Sequence, residues 1–259
     1  QSALQGDLLE SASLREVVEG IGAARDDGRI HSLLITGNLV SDGYGGSFAT
    51  IRELRRAIGS FAEDKPVYAY LDGDSLRDYY LKSAASEVFI NPFGSIDFRG
   101  LRAERMYLGD AFERVGIEVQ VEAFEEYKTA AEPFKKGSMS PEEREQIASL
   151  IGDIWSVIVD DISATRDLDP GSLNELAASE LILFGQEIAD AGLADQQMSE
   201  DDLIETLSSL TAYDPDAESF RQFGFIDYLE FNKPAVPELD FLGSGNTVAV
   251  LYAEGILME

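Results

Sequence analysis

The residue with the clearest chemical potential is a lysine set among aromatic and small apolar neighbours. The stretch Glu125-Glu126-Tyr127-Lys128-Thr129-Ala130-Ala131-Glu132-Pro133-Phe134 follows an expected strand and surrounds Lys128 with Phe124, Tyr127, Ala130, Ala131 and Phe134. A lysine buried in such a setting falls below its reference pKa of about 10.4. The neutral amine can then take the proton from a serine hydroxyl, the Ser-Lys variant of triad chemistry. Glu132 works against this. Four residues on in a helix, it would share a face with Lys128 and favour the charged amine. A structural Lys128–Glu132 ion pair is therefore what the residues alone predict.

Other groups carry weaker signals. His31 is the single histidine and sits beside Arg29 in a short apolar run, a structural or rim position rather than a catalytic one. Gly45-Gly46 lies between a strand and a capped helix, where free N–H groups can face an anion or oxyanion. It lacks the Lys-Ser/Thr pair of a phosphate-binding loop and the glycine spacing of a dinucleotide fold. The paired acids Glu125-Glu126, Glu142-Glu143, Asp160-Asp161 and Asp201-Asp202 read as solvated helix faces. No cofactor or metal is expected, since cysteine is absent and one histidine cannot build a multi-histidine centre.

Composition narrows the classes. The 259 residues are 44% hydrophobic, enough for a real core. With 49 acidic residues against 20 basic ones and a net charge of −29, the surface repels phosphate backbones, so nucleic acid is an unfavourable partner. No run reaches the ~20 apolar residues of a membrane span.

The elements that must position these groups alternate. A helix from Leu14 behind Ser13 precedes a strand over Ile30–Ile35, then a helix over Phe48–Phe61 behind Ser47. The strand Val67–Leu71, a helix near Leu76–Ala85 and the strand Val88–Ile90, stopped by Asn91-Pro92, come next. Strands spaced by helices imply parallel pairing through crossovers. A strand (Ser95–Leu101), a helix (Glu104–Val115) and a strand (Glu118–Ala123) are expected before a long helix from Pro141 to about Arg166 behind Ser140. Asp169-Pro170-Gly171 breaks it, and a later helix near Phe184–Ala191 ends at Gly192. Tyr213–Asp240 reads as a linker or capping arm, and Val248–Tyr252 as a strand that opens a new unit.

The lysine segment with Met139-Ser140-Pro141-Glu142-Glu143-Arg144-Glu145 resembles that of the signal peptide peptidase SppA (protease IV) family, long two-domain form. Asp64-Lys65-Pro66-Val67-Tyr68-Ala69-Tyr70, Asp78-Tyr79-Tyr80-Leu81-Lys82-Ser83, Asn91-Pro92-Phe93-Gly94-Ser95-Ile96 and Gly185 to Asp195 are similar in order and spacing. The resemblance implies an α/β fold of the ClpP/crotonase type, built of repeated ββα units with a helical arm. It implies an N-terminal domain over 1–200 carrying the lysine base, a helical or extended linker arm over 201–245, and the first strand of a truncated second catalytic domain over 246–259. Lys128 would be the base of a Ser-Lys endopeptidase, with the nucleophile on the chain's own C-terminal domain. Where the family carries its serine this sequence has Arg77, and the flanking Ser75 and Ser83 fit the motif poorly. Gly45-Gly46 echoes the oxyanion loop.

The implied substrates are cleaved signal peptides and other extended hydrophobic peptides, and the implied assembly is a homotetramer. The full-length protein would be anchored in the inner membrane with its catalytic body on the periplasmic side, and this fragment alone would be soluble and inactive. Two other classes stay open: a non-catalytic assembly or substrate-guiding module with a degenerate site, and a crotonase-type acyl-CoA enzyme, which coenzyme A binding would reveal.

Overall fold

The computed structural model describes residues 12–38, 47–121, 127–179, 182–216 and 218–232. In chain order these form α1 (Leu14–Asp26), β1 (Leu33–Ile35), α2 (Phe48–Ala62), β2 (Val67–Asp74), α3 (Leu76–Lys82) and β3 (Glu87–Ile96). Then come α4 (Gly109–Arg114), α5 (Glu132–Lys135), α6 (Pro141–Arg166), α7 (Pro170–Ser179), β4 (Leu183–Phe184), α8 (Gly185–Asp190) and β5 (Gln196–Gln197). The described chain ends in α9 (Glu200–Thr211), β6 (Tyr213–Asp214), β7 (Ser219–Phe220) and α10 (Phe225–Phe231).

Serine starts many of these helices. Ser13, Ser47, Ser75, Ser140 and Ser199 each accept from the N–H three residues on, at the heads of α1, α2, α3, α6 and α9. In four cases that third residue is an acid (Glu16, Asp78, Glu143, Asp202), which also complements the positive end of the helix dipole. At the other end of α8, Gly192 adopts φ +73, a left-handed conformation that lets Leu193 N–H close back on the Ile188 carbonyl at 3.0 Å.

The sheet is parallel where the crossovers predict it. β1 pairs with β2 (Leu33 opposite Val67) and β2 with β3 (Tyr68 opposite Glu87). β3 also carries antiparallel β4 at Ser95–Ile96 and parallel β5 at Phe89–Ile90. Both faces of β2 are covered, so Val67 to Leu71 form an unbroken buried run. Val67, Ala69 and Leu71 face one core with Ile51, Leu54, Ile58 and the end of α6. Tyr68 and Tyr70 face the other, with Phe89, Met198, Leu203 and Leu207 under α9. Helices therefore lie on both sides of the sheet.

Several boundaries differ from the sequence reading. Asn91-Pro92 does not end β3. The strand pairs with β2 again at Ser95 and Ile96 after a register shift, and a bulge accommodates a proline that cannot donate to a ladder. The expected strand over Ser95–Leu101 is only the end of β3, and the expected helix over Glu104–Val115 shrinks to α4. Residues 117–121 are not a strand, and 122–123 lie outside the described residues. Pro170 opens α7 instead of merely breaking α6, a use of the first helical turn, where its missing N–H costs nothing. The stretch expected as a linker arm folds, as far as Asn232, into α9, the β6–β7 hairpin and α10. Leu229 of α10 packs so closely on α1 that a Cβ at Gly20 would meet its side chain at 2.1 Å. Val248–Tyr252 lies outside the described residues.

One buried cation joins these layers. Arg55, on α2, donates to the Tyr80 carbonyl, to Ser83 Oγ (2.7 Å), to the Asp161 carbonyl (2.8 Å) and to Thr165 Oγ1 (2.7 Å). Its guanidinium also stacks 4.6 Å over the Tyr80 ring. Burial pushes it below the usual arginine range, against the pull of Tyr80 and Asp161. Arg55→Met is expected to cost about 2–3 kcal/mol, because carbonyl and hydroxyl acceptors on α3 and α6 lose their shared donor. Urea unfolding with wild type alongside measures it, and an unchanged midpoint would refute the joint.

Candidate active site

The first two turns of α6 project beyond the core and carry an arm made from residues 99–121 and 127–140. Glu143 is the anchor. It is 1% exposed, and its carboxylate accepts from the Arg105 guanidinium and the Tyr107 hydroxyl. Burial and this carboxylate push the Tyr107 phenol up to about 12. The arm then folds on itself. Leu108 N–H reaches the Pro133 carbonyl at 2.6 Å and Gly109 N–H the Lys136 carbonyl at 3.1 Å. A Cβ at Gly109 would lie 2.6 Å from the Lys135–Lys136 backbone, so the approach requires glycine there.

Lys128 sits on the turn before α5, not in a helix. Its side chain is exposed and makes no hydrogen bond or ion pair with the described residues. On either side the backbone is held. Gln146 Nε2 donates to the Tyr127 carbonyl at 2.7 Å, and the Tyr127 hydroxyl reaches Glu145 Oε2 at 3.1 Å. Thr129 is buried, and its carbonyl accepts from Glu132 N–H at 2.9 Å.

Two expectations about this lysine are corrected. Lys128 and Glu132 do not pair. The helix begins only at Glu132, so the two side chains never share a helical face, and Glu132 Oε1 instead accepts from Lys136 Nζ at 2.7 Å. Nor is Lys128 buried in this chain: Tyr127 and Phe134 beside it are 53% and 49% exposed, because the turn lies on the outer surface of the arm. Phe124, Glu125 and Glu126 lie outside the described residues.

The place where the resembled family carries its nucleophile is closed. Asp74 ends β2 and forms a fully buried ion pair with Lys82 of α3. Burial raises the Asp74 carboxyl above its ordinary range, against the pull of the Lys82 ammonium. Ser75 caps α3 and donates to Asp78 at 2.7 Å, while Ser83 is buried beneath Arg55. Both serines are occupied by structural bonds, and Arg77 points to solvent-exposed surface. His31 is exposed as well. Gly45-Gly46 lies outside the described residues. Among the described residues, no group of three or more His, Asp or Glu side chains is arranged to hold a metal.

Residues 60–214, which hold the sheet from β2 onward, the turn from Asp74 into α3 and the lysine turn, match the family described as Peptidase family S49. The chain belongs to that family. It is 27% identical over 261 residues to "Protease 4" of Salmonella typhi, covering 98% of this chain and 40% of the relative. It is 28% identical over 268 residues to "Protease 4" of Haemophilus influenzae, covering 100% and 42%. With "Serine protease SPPA, chloroplastic" of Arabidopsis thaliana it shares 26% over 244 residues, covering 94% and 35%. This S49 chain thus spans less than half the length of these relatives, and its resemblance is of the SppA type. Sequence reasoning singled out Lys128 but missed the bonds of Glu143 with Arg105 and Tyr107 and of Gln146 with the lysine turn. The one available signal was the Ser140-to-Glu143 cap spacing, which read only as a helix start.

Burial alone would push the Glu132 carboxyl up, but the Lys136 hydrogen bond and neighbouring Ser140 hold it below the usual carboxylate range. It therefore stabilises the fold above its unfolded pKa of about 4.3, and this contribution is lost as pH falls through the lower folded value. Glu132→Gln is expected to melt below wild type at pH 7, with the gap closing on acidification. Melting curves from neutral to strongly acidic pH test it; a gap independent of pH would show that the carboxylate contributes nothing.

Proposed function

We propose that this chain supplies the lysine general base of a Ser-Lys endopeptidase, with Lys128 as the base and a serine on the chain's C-terminal domain as the nucleophile. The carrying observation is Lys128 itself: its amine is unpaired among the described residues, although its neighbours are anchored and the adjacent acid is engaged by Lys136. A base needs a free lone pair, and a domain docking over the turn would desolvate the amine and favour its neutral form. The amine then accepts the serine proton as Oγ attacks the peptide carbonyl. It returns that proton to the leaving amine, and water activated by the same lysine releases the acyl-enzyme.

The surroundings suit such docking. Met106, Val115, Ile117, Tyr127, Phe134 and Leu150 are all exposed around the arm, an apolar surface fit for extended hydrophobic peptides or another domain. Residues 99–150 hold eight of the 20 basic residues and eleven of the 49 acidic ones, so this stretch is less negative than the chain as a whole. Signal peptides are the substrates that this reading assigns, and a homotetramer its assembly. It divides the chain at 1–200, 201–245 and 246–259 on a ClpP/crotonase-type plan, in a protein anchored at the inner membrane with its catalytic body periplasmic. Among the described residues no helix is long and apolar enough to cross a membrane.

Peptide hydrolysis by the full-length protein tests the assignment. Lys128→Met is expected to lower kcat by about 10²–10⁴-fold or more with an unchanged melting temperature. A variant as active as wild type would remove Lys128 from the chemistry. An inactive wild type would favour the non-catalytic module.

A further inference from the structure

The carbonyl held by Gln146 belongs to the peptide group that joins Tyr127 to Lys128. Gln146 Nε2 meets it at 2.7 Å, and the preceding helical residue, Glu145, takes the Tyr127 hydroxyl at 3.1 Å. Because the peptide unit is planar, fixing this oxygen restrains the plane that leads into Lys128 and hence the direction in which its Cβ leaves the backbone. Downstream, Thr129 is buried and its carbonyl accepts from Glu132 N–H, which holds the peptide that follows Thr129. The flexible four-carbon stem of Lys128 starts between two clamped points, and the upstream clamp is a side chain that takes no part in the proton transfers described above.

We propose that Gln146 is a positioning residue for Lys128: its side-chain amide, carried on the rigid second turn of α6, aims the lysine at the reacting serine. The proposal rests on the reading of Lys128 as the general base. Gln146 itself is exposed, so its bond does little for the fold. A catalytic group displaced by about 1 Å, in contrast, loses on the order of 10²-fold in rate.

The full-length protein carrying Gln146→Met, Gln146→Lys or Lys128→Met is assayed for peptide hydrolysis, with melting temperatures alongside. Gln146→Met keeps the length of the side chain but removes the donor. It is expected to lower kcat by about 10–10²-fold at unchanged KM and unchanged melting temperature. Gln146→Lys keeps a donor of similar reach and is expected to restore activity close to wild type. If Lys128→Met is inactive while Gln146→Met keeps the wild-type kcat, the positioning role falls and the base assignment stands. If Lys128→Met stays active, both fall. A loss in Gln146→Met that Gln146→Lys shares, or that tracks a drop in melting temperature, also overturns the positioning role.

Discussion

The buried guanidinium of Arg55 couples the sheet layer to the long helix on which the candidate site depends. Its donors reach α3 through Tyr80 and Ser83 and α6 through Asp161 and Thr165. α6 is a beam of 26 residues, about 39 Å long at 1.5 Å per residue. Only its C-terminal half is sunk in the core, through Ile158, Val159 and Ile162. The N-terminal half carries the arm, through Glu143 to Arg105 and Tyr107 and through Glu145 and Gln146 to the lysine turn. A helix clamped at one end thus carries the lysine turn at the other, and the geometry of that turn depends on the clamp.

The acidity of the chain takes on structure when its partners are examined. Glu16, Asp78, Glu143 and Asp202 sit in the first turns of helices, where the dipole favours a negative charge. Asp161 accepts from Arg52 Nε at 3.2 Å and Asp195 from Arg166 at 2.7 Å, so further acids tie surface layers together. Glu143 is the case with most consequence. An isolated buried carboxylate would cost too much, and the paired Arg105 and Tyr107 compensate for it while bringing the arm back to the helix.

Ser75 and Ser83, which flank the position that the resemblance assigns to the family's nucleophile, are both held by structural bonds. Where the resembled family carries its nucleophile, a strand, turn and helix remain, but the turn is filled by Ser75 as a helix cap and by the Asp74–Lys82 pair. The ionic cluster satisfies its own buried charges, which lets this turn pack closed against the core.

Much of this architecture was legible along the chain. The strands over 67–71 and 88–90, their parallel pairing, the caps Ser13, Ser47 and Ser140 and the full length of α6 follow from local periodicity and from the chemistry of free helix N–H groups, both properties of neighbouring residues. Lys128 stood out because lysines are few and its neighbours apolar. The bulge at Pro92, the helix behind Pro170 and the docking of α9 and α10 were not legible, since each depends on a surface that only the folded sheet or α1 provides. The same holds at the site. Spacing alone put Glu132 with Lys128, whereas the fold starts the helix one turn later and gives Glu132 to Lys136. Sequence by itself singled out Lys128 by its apolar and aromatic neighbours. Tertiary structure alone decided how its turn is held, because Glu145 and Gln146 reach Tyr127 from 18 and 19 positions away, and Arg105 and Tyr107 reach Glu143 from 38 and 36, only when the arm closes on α6.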